Sequence, residues 1–377
     1  MTETSCTLRH LPATSDLATA MKLSKTLSKM ALQKRLASKA PRVFKPTLLL
    51  LIGWLGLLHH SVTAQQPEGV IKVGIIGLDT SHSIAFTKVL NAPDAEEDVA
   101  NCKVVCAYPK GSPDIESSTS RVPAYTEQMK DMGVEIVDSI DALLERCDCV
   151  LLESNDGRPH LEQYLPVLQA GKPCFIDKPL AGSLADCVKI YAMAEKAGVP
   201  VFSSSSLRFS SGVQAIRQGA AGEVIGCDAY SPCHLESTHP DLFWYGIHGV
   251  ELLFTAMGSG CQSVTRHHHD GVDHVVGTWT GNRIGTFRGL RSGKSGYGGV
   301  AYGSKAIQPL GGYEGYRPLV VEIVNFFRTR KSPIDPKETL ELYAFMEAAE
   351  ESKRRGGESV TIQEVLTQAK VQAGLTN

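Results

Sequence analysis

KVGIIGLDTSHSIAF, Lys72 to Phe86, reads as a strand that runs through a turn into a helix. Val73 to Ile76 form a short apolar run of the kind found in a strand buried on both faces. Gly77 opens the turn, and Ser83 to Leu90 carry the spacing of a helix's first turns. A strand, a glycine turn and a helix in this order mark where a dinucleotide-binding G-x-G-x-x-G belongs. Only its first glycine is present, because Asp79 and His82 stand at the second and third positions.

That exchange has a physical cost. The second glycine normally lets the backbone approach a pyrophosphate, which rests on the helix N-terminus. A carboxylate about 4 Å from one phosphate charge costs about 4 kcal/mol at an effective dielectric of about 20. A micromolar ligand has only about 8 kcal/mol of binding free energy. Asp79, Thr80 and Ser81 are also good helix N-caps, so Asp79 could occupy the donors a phosphate needs, with His82 partly neutralising it. Alternatively Asp79 turns away and leaves Thr80, Ser81 and the backbone to the phosphates.

Beyond this stretch, strands and helices alternate. CKVVCAY (Cys102 to Tyr108), VEIVD, CDCVLLES, KPCFIDKP and VPVFSSSS read as strands. TEQMKDM, IDALLER, HLEQYLPVLQAG and ADCVKIYAMAEKAG read as the helices between them, and PKGSPDIESSTS as a polar loop. This alternation predicts an α/β Rossmann domain with a doubly wound parallel sheet over residues 68–206. The rhythm changes near Leu207. GVDHVVGTWTGNRIGTFRGLR alternates like antiparallel strands joined at Gly281-Asn282, which predicts an α+β domain with an open antiparallel sheet over 207–318. Amphipathic helices over 319–377 complete the fold.

The front of the chain differs. Residues 1–46 hold nine Lys/Arg against Glu3 and Asp16, and Thr47 to Leu58 are apolar up to a Val62-Thr63-Ala64 site. A basic region, a short apolar core and small residues at a V-x-A site predict a secretory signal over 1–64, cleaved near Ala64. Twelve apolar residues are too few to span a bilayer. The expected location is therefore periplasmic or extracellular. Removing a segment of charge +7 takes the net charge from −2 to −9, which argues against a nucleic-acid partner. Ten cysteines become nine without a CxxC pair, reading as small buried apolar side chains rather than a disulfide framework, an awkward fit to an oxidising compartment.

Four segments carry a resemblance. LQAGKPCFIDKPLAGSLADCVKI (Leu168 to Ile190) resembles the A-G-K-x-v-x-x-E-K-P segment of the Gfo/Idh/MocA oxidoreductases, the glucose–fructose oxidoreductase and inositol dehydrogenase relatives. GIHGVELLFTAMG (Gly246 to Gly258) is similar to that family's D-x-G-x-H-x-x-D helix, SNDGRPH (Ser154 to His160) to its T-P-N-x-x-H loop, and Val320 to Ile362 to its C-terminal tail. The resemblance implies hydride transfer between NAD or NADP and a sugar or cyclitol, and oligomerisation through the open sheet. It implies that Lys178 touches cofactor and substrate, and that His248 is the acid/base. It places Asp177 at the family's glutamate and Ser154, Asn155 and His160 beside the cofactor ribose. Gly77, Asp79, Thr80, Ser81 and His82 are the candidate phosphate turn. Trp244 stands where the family has its first aspartate.

No Asp or Glu ends the second strand, where an NAD enzyme usually holds the ribose 2′-hydroxyl. Lys110, with Ser112, would suit a 2′-phosphate, a lean towards NADP. His267-His268-His269-Asp270 suggests metal at first sight. Adjacent strand residues point to opposite faces, so no metal site is expected there, but a solvated turn before a strand. Three functions remain: a sugar or cyclitol oxidoreductase, a non-redox sugar-binding protein or enzyme that has lost the dinucleotide, or, as the resemblance also implies, an NAD-using glycoside-cleaving relative.

Overall fold

The computed structural model describes residues 69–375, so the expected signal segment lies outside the described residues. Eleven elements alternate through the first part of that stretch. They are β1 (Ile71–Ile76), α1 (Ser81–Leu90), β2 (Cys102–Tyr108), α2 (Glu116–Asp131), β3 (Glu135–Ile136) and α3 (Ile140–Leu144). β4 (Cys149–Leu152), α4 (His160–Gln169), β5 (Cys174–Ile176), α5 (Leu184–Ala197) and β6 (Val201–Phe202) follow. The six strands form one parallel sheet in the order β3-β2-β1-β4-β5-β6. Strand order reverses beside β1, and ligands of open α/β sheets bind at the carboxyl edge of such a switch point. Val73, Ile75 and Ile76 are wholly buried, as the unbroken apolar run requires.

One segment departs from the expected pattern. The polar stretch after β2 is a loop only as far as Ile115; helix α2 begins at Glu116 and carries Pro123 inside it. A mid-helix proline normally signals a break, and here it hides the fact that Ser117, Ser118 and Arg121 belong to a helix end.

The second sheet follows α6 (Ser211–Arg217), with β7 (Val224–Pro232), α7 (Ile247–Met257), β8 (Cys261–His269), β9 (Val272–Trp279), β10 (Arg283–Leu290), β11 (Gly298–Gly303) and β12 (Ile307–Pro309). Then come α8 (Arg317–Thr329), α9 (Pro336–Arg354), β13 (Val360–Thr361) and α10 (Ile362–Gln372). The sheet runs β12-β11-β7-β10-β9-β8-β13. It is mixed rather than wholly antiparallel, because β7 and β10 pair in parallel while β8, β9 and β10 form the expected antiparallel ladder. His267 to His269 lie within β8, not in a turn ahead of it. His268 pairs with buried Asp273 at 2.7 Å, and Arg266 beside it pairs with Asp273, Glu350 and Asp241 at 2.9, 2.8 and 2.7 Å. These side chains form an ion network rather than a ligand cluster.

Helix α8 returns to the parallel sheet. Leu319, Val320, Ile323, Val324, Phe326 and Phe327 fall on one face by helical spacing and share a core with Val73, Ile75 and Phe86. Full burial of each large apolar side chain contributes roughly 1.5–3 kcal/mol. Buried Arg208 pairs with Glu251 of α7, and with Glu338 of α9 at 2.5 Å. All nine cysteines among the described residues are free and buried, and burial pushes the thiols of Cys102 and Cys233 up to about 12. No helix among the described residues is long and apolar enough to cross a membrane.

Candidate active site

The β1–α1 turn is built around Gly77. Its φ is +95°, and a Cβ there would lie 2.4 Å from the Ser154 amide nitrogen at the end of β4. Only glycine meets both conditions. The next two elements are then brought so close that Asp79 falls between them. Its Oδ1 accepts from the Asn155 N–H at 2.9 Å and its Oδ2 from the Ser118 hydroxyl at 2.7 Å. Burial raises its pKa, and those two hydrogen bonds only partly offset the effect. Asp79 therefore does not take the first donors of α1. Thr80 is the N-cap, its hydroxyl accepting from His82 N–H at 3.4 Å. His82 does not neutralise Asp79 either; its Nδ1 lies 2.7 Å from Oδ2 of Asp177, at the end of β5.

A cavity of about 280 Å³ opens at this edge of the sheet. Thr80, Ser81, His82, Asn155 and Lys178 form the side belonging to the parallel sheet. The other side comes from Trp244, Tyr245 and His248, with Tyr297, Tyr313 and Tyr316 closing it. A π-helical turn over Leu242–Gly246 runs directly into α7 and carries Trp244 and Tyr245 to the wall. The Lys178 ammonium sits 6.0 Å from the centre of the Tyr245 ring, within reach of a cation–π attraction. His248 Nδ1 is 2.7 Å from the Ser205 hydroxyl. Burial, then the charges of Lys178 and His82, holds the His248 imidazole well below its usual pKa, so it is neutral at pH 7. No carboxylate among the described residues lines the cavity.

Six of the residues singled out from sequence thus converge: Thr80, Ser81, His82, Asn155, Lys178 and His248. Four others do not. His160 is wholly buried, its Nε2 2.8 Å from the Ser154 carbonyl and its Nδ1 3.2 Å from that of Leu180, so it braces the loop and cannot reach a ribose. Burial lowers its pKa. The Ser154 hydroxyl is spent on Gln163 at 2.9 Å. Asp177 is buried beneath the floor, behind His82. Lys110 faces a separate cavity with Asp156 and Arg158, and the Ser112 hydroxyl donates to Asp156 at 2.6 Å. Asp156 is well supplied: burial alone would raise its pKa, but hydrogen bonds from His239, Arg158 and Ser112 hold it far below the usual carboxylate range.

Sequence reasoning missed Ser117 and Arg121, which reach the cavity from the start of α2. The Arg121 Nη1 donates to the Asp79 carbonyl at 3.3 Å, which places a guanidinium beside the N-terminus of α1. Arg121 directly follows the stretch read as loop, Pro109 to Ser120, and its cationic side chain next to a run of serines was the available signal. Glu153 was missed as well. It is wholly buried at the end of β4, with Asp177 as neighbour.

These residues fit a dinucleotide at the turn. The inward Asp79 keeps its carboxylate off the cavity, where Thr80 and Ser81 at the start of α1 line the wall, and Arg121 supplies positive charge for a pyrophosphate.

Residues 71–205 match the model of an oxidoreductase family with an NAD-binding Rossmann fold, GFO_IDH_MocA. Among curated proteins, the 2,7-anhydro-N-acetylneuraminate hydratase of Escherichia coli K12 is 26% identical over 166 residues, 42% of this chain and 38% of that protein. An uncharacterized oxidoreductase of Streptococcus pneumoniae is 25% identical over 154 residues, 36% of this chain and 41% of that protein. The chain thus spans about two-fifths of the length of these relatives. Among solved structures, scyllo-inositol dehydrogenase from Lactobacillus casei, with bound NAD(H) and scyllo-inositol, superposes with a TM-score of 0.64 at 16% identity. That superposition covers 78% of this chain and 99% of the dehydrogenase. The myo-inositol dehydrogenase of the same organism gives 0.61 at 16% identity, over 78% and 96%. At such identities the likeness concerns the fold.

Proposed function

We propose that this chain, whose residues 71–205 carry the NAD-binding Rossmann fold of the Gfo/Idh/MocA oxidoreductases, moves a hydride between NAD or NADP and a carbon of a sugar or cyclitol. One observation carries the reading. Lys178, His248 and the N-terminus of α1 face a single cavity at the carboxyl edge of the parallel sheet. The aromatic walls from Trp244, Tyr245 and Tyr297 suit the C–H faces of a polyol ring.

A dinucleotide held at the α1 turn by Thr80, Ser81 and Arg121 would supply the hydride acceptor. Lys178 is then placed to hold a substrate hydroxyl and to stabilise negative charge as it grows on that oxygen. Its ammonium forms no ion pair with a carboxylate among the described residues. His248 presents Nε2 to the cavity, since Nδ1 is engaged by Ser205. With Nδ1–H donating to the Ser205 hydroxyl oxygen, the neutral ring keeps Nε2 free to take the substrate hydroxyl proton. Trp244 replaces the family's first aspartate, and no acid replaces it on the cavity wall, so proton transfer falls to His248 without a carboxylate partner.

Lys110 and Ser112, from which sequence suggested NADP, lend that choice no support because they are turned to another cavity. Arg121 is the cation at the turn. The reading is tested by titrating the protein with NAD and with NADP, following tryptophan quenching at Trp244 and the thermal midpoint. Quenching by at least one dinucleotide is expected, with Lys178→Ala retaining binding and losing turnover. Silence towards both, with a thermal shift from a sugar alone, would establish the non-redox alternative instead.

A further inference from the structure

Glu153 and Asp177 lie beneath the cavity floor next to His82, which lines it, and the proposed reaction uses none of the three side chains. His82, Glu153 and Asp177 come from the ends of the β1–α1 turn, β4 and β5, and all three are buried. Each offers one ligand atom, and the three atoms lie within 4.8 Å of one another. Neither oxygen of Glu153 has a hydrogen-bond partner among the described residues, and neither does Oδ1 of Asp177. Three orphaned oxygens in one buried spot are costly, because each forfeits its hydration without replacement. One proton on Glu153 does not resolve this. Even a proton shared with Oδ1 of Asp177 would leave the second oxygen of Glu153 without a partner. Lys178, the adjacent cation, is on the cavity wall against Tyr245 and donates to none of the three.

We propose that His82, Glu153 and Asp177 form a buried divalent-metal site under the floor of the cavity. An imidazole nitrogen with two carboxylates suits zinc or manganese better than calcium. Two carboxylates against one divalent ion leave the spot neutral. Tetrahedral bonds of about 2.0–2.1 Å place ligand atoms about 3.3 Å apart, so His82 Nδ1 and Asp177 Oδ2 would open slightly from 2.7 Å, and no pair starts more than 4.8 Å apart. His82 would bind through Nδ1, which leaves its ring edge to the cavity and its faces against Phe86 and Tyr316. The metal thereby locks three strand ends together and fixes the β1–α1 turn. His82 fills the position of the fingerprint's third glycine, so the departure from that fingerprint acquires a reason.

The experiment uses the full untagged chain. Metal content is measured by mass spectrometry, then thermal midpoints are taken after EDTA treatment and after return of Zn²⁺ or Mn²⁺. About one metal ion per chain is expected, with a midpoint that EDTA lowers and one of the two ions restores. Glu153→Gln, which keeps size and shape, should weaken metal binding by roughly tenfold or more. Exposed Glu162→Gln should leave it unchanged. A wild-type protein without bound metal and without a midpoint response to either ion overturns the proposal. So does undiminished binding in both Glu153→Gln and Asp177→Asn. Dinucleotide quenching at Trp244 is read separately, so failure here leaves the oxidoreductase reading standing or falling on its own result.

Discussion

The Nδ1 of His248 lies 2.7 Å from the hydroxyl of Ser205, 43 residues earlier in the chain. The bond fixes the ring and leaves Nε2 as the nitrogen that meets the cavity. Because burial and nearby positive charge hold this imidazole well below its usual pKa, the base form persists as the pH falls through 6.5. The acid limb of kcat/KM is therefore expected below pH 6.5. His248→Gln should lower kcat by about 10²–10⁴-fold. Ser205→Ala should move the limb while leaving the fold intact. An acid limb at the same pH in wild type and His248→Gln would exclude His248 as the base.

Asp79 ties the α1 turn to both neighbouring elements through Asn155 and Ser118. Asp79→Gly removes both bonds and strands their donors, which should cost about 2 kcal/mol of stability in urea unfolding. Asp79→Asn can keep one acceptor and both contacts, so its stability should stay within about 1 kcal/mol of wild type. With less negative charge beside the turn, it should also bind a dinucleotide at least as tightly. Weaker dinucleotide binding in Asp79→Asn would show that the carboxylate helps the ligand.

Stability should depend on pH through two buried histidines. His160 and His248 both have lowered pKa values in the folded chain, caused first by burial. Between the folded values and about 6.5 the unfolded chain binds more protons, so unfolding is favoured as the pH drops. The stability they contribute is complete above about pH 6.5 and is lost on acidification towards the folded values. Thermal midpoints measured from pH 8 to pH 5 should fall in the lower half of that range. A midpoint that rises on acidification contradicts the assignment.

The second sheet exposes Ile225, Tyr230, Ile284, Tyr302 and Ile307 along β7, β10, β11 and β12, with Ile307 69% exposed. We propose that these exposed apolar side chains join copies of the chain. A homo-oligomer joined through it is expected in light scattering coupled to size exclusion. Ile284→Glu should shift the population to monomer without changing the thermal behaviour of the isolated fold. A wild-type monomer at high micromolar concentration would remove the interface.

Export predicts cleavage next to Ala64. N-terminal sequencing of protein recovered from the secreted or periplasmic fraction should begin at Gln65. A full-length chain confined to the cell interior would set that expectation aside.

The parallel domain was legible because its strands are continuous apolar runs separated by helices, a local pattern that survives without tertiary information. Cys102–Tyr108 came out of the sequence with the bounds seen in the structure. Helix α2 was misjudged because Pro123 and a run of serines carry local signals for loop that packing overrides. Arg121 was lost with it. His267 to His269 read as a solvated turn because consecutive strand residues cannot converge on one ion, yet opposite-facing side chains are equally compatible with a strand, and β8 runs through them to its hairpin.

Sequence by itself determined the two-part architecture, the glycine turn at Gly77 and the place of Lys178 at a strand end. Each depends on residues adjacent in the chain, whose periodicity and backbone freedom are local properties. Only the tertiary structure decided where side chains point. It turned Asp79 inward to Asn155 and Ser118, and joined His82 to Asp177 across 95 residues. It also removed His160 and Lys110 from the cavity that holds His248. Those outcomes follow from strand order and helix approach, which bring sequence-distant polar groups within hydrogen-bond reach and make burial, not residue type, the arbiter of their role.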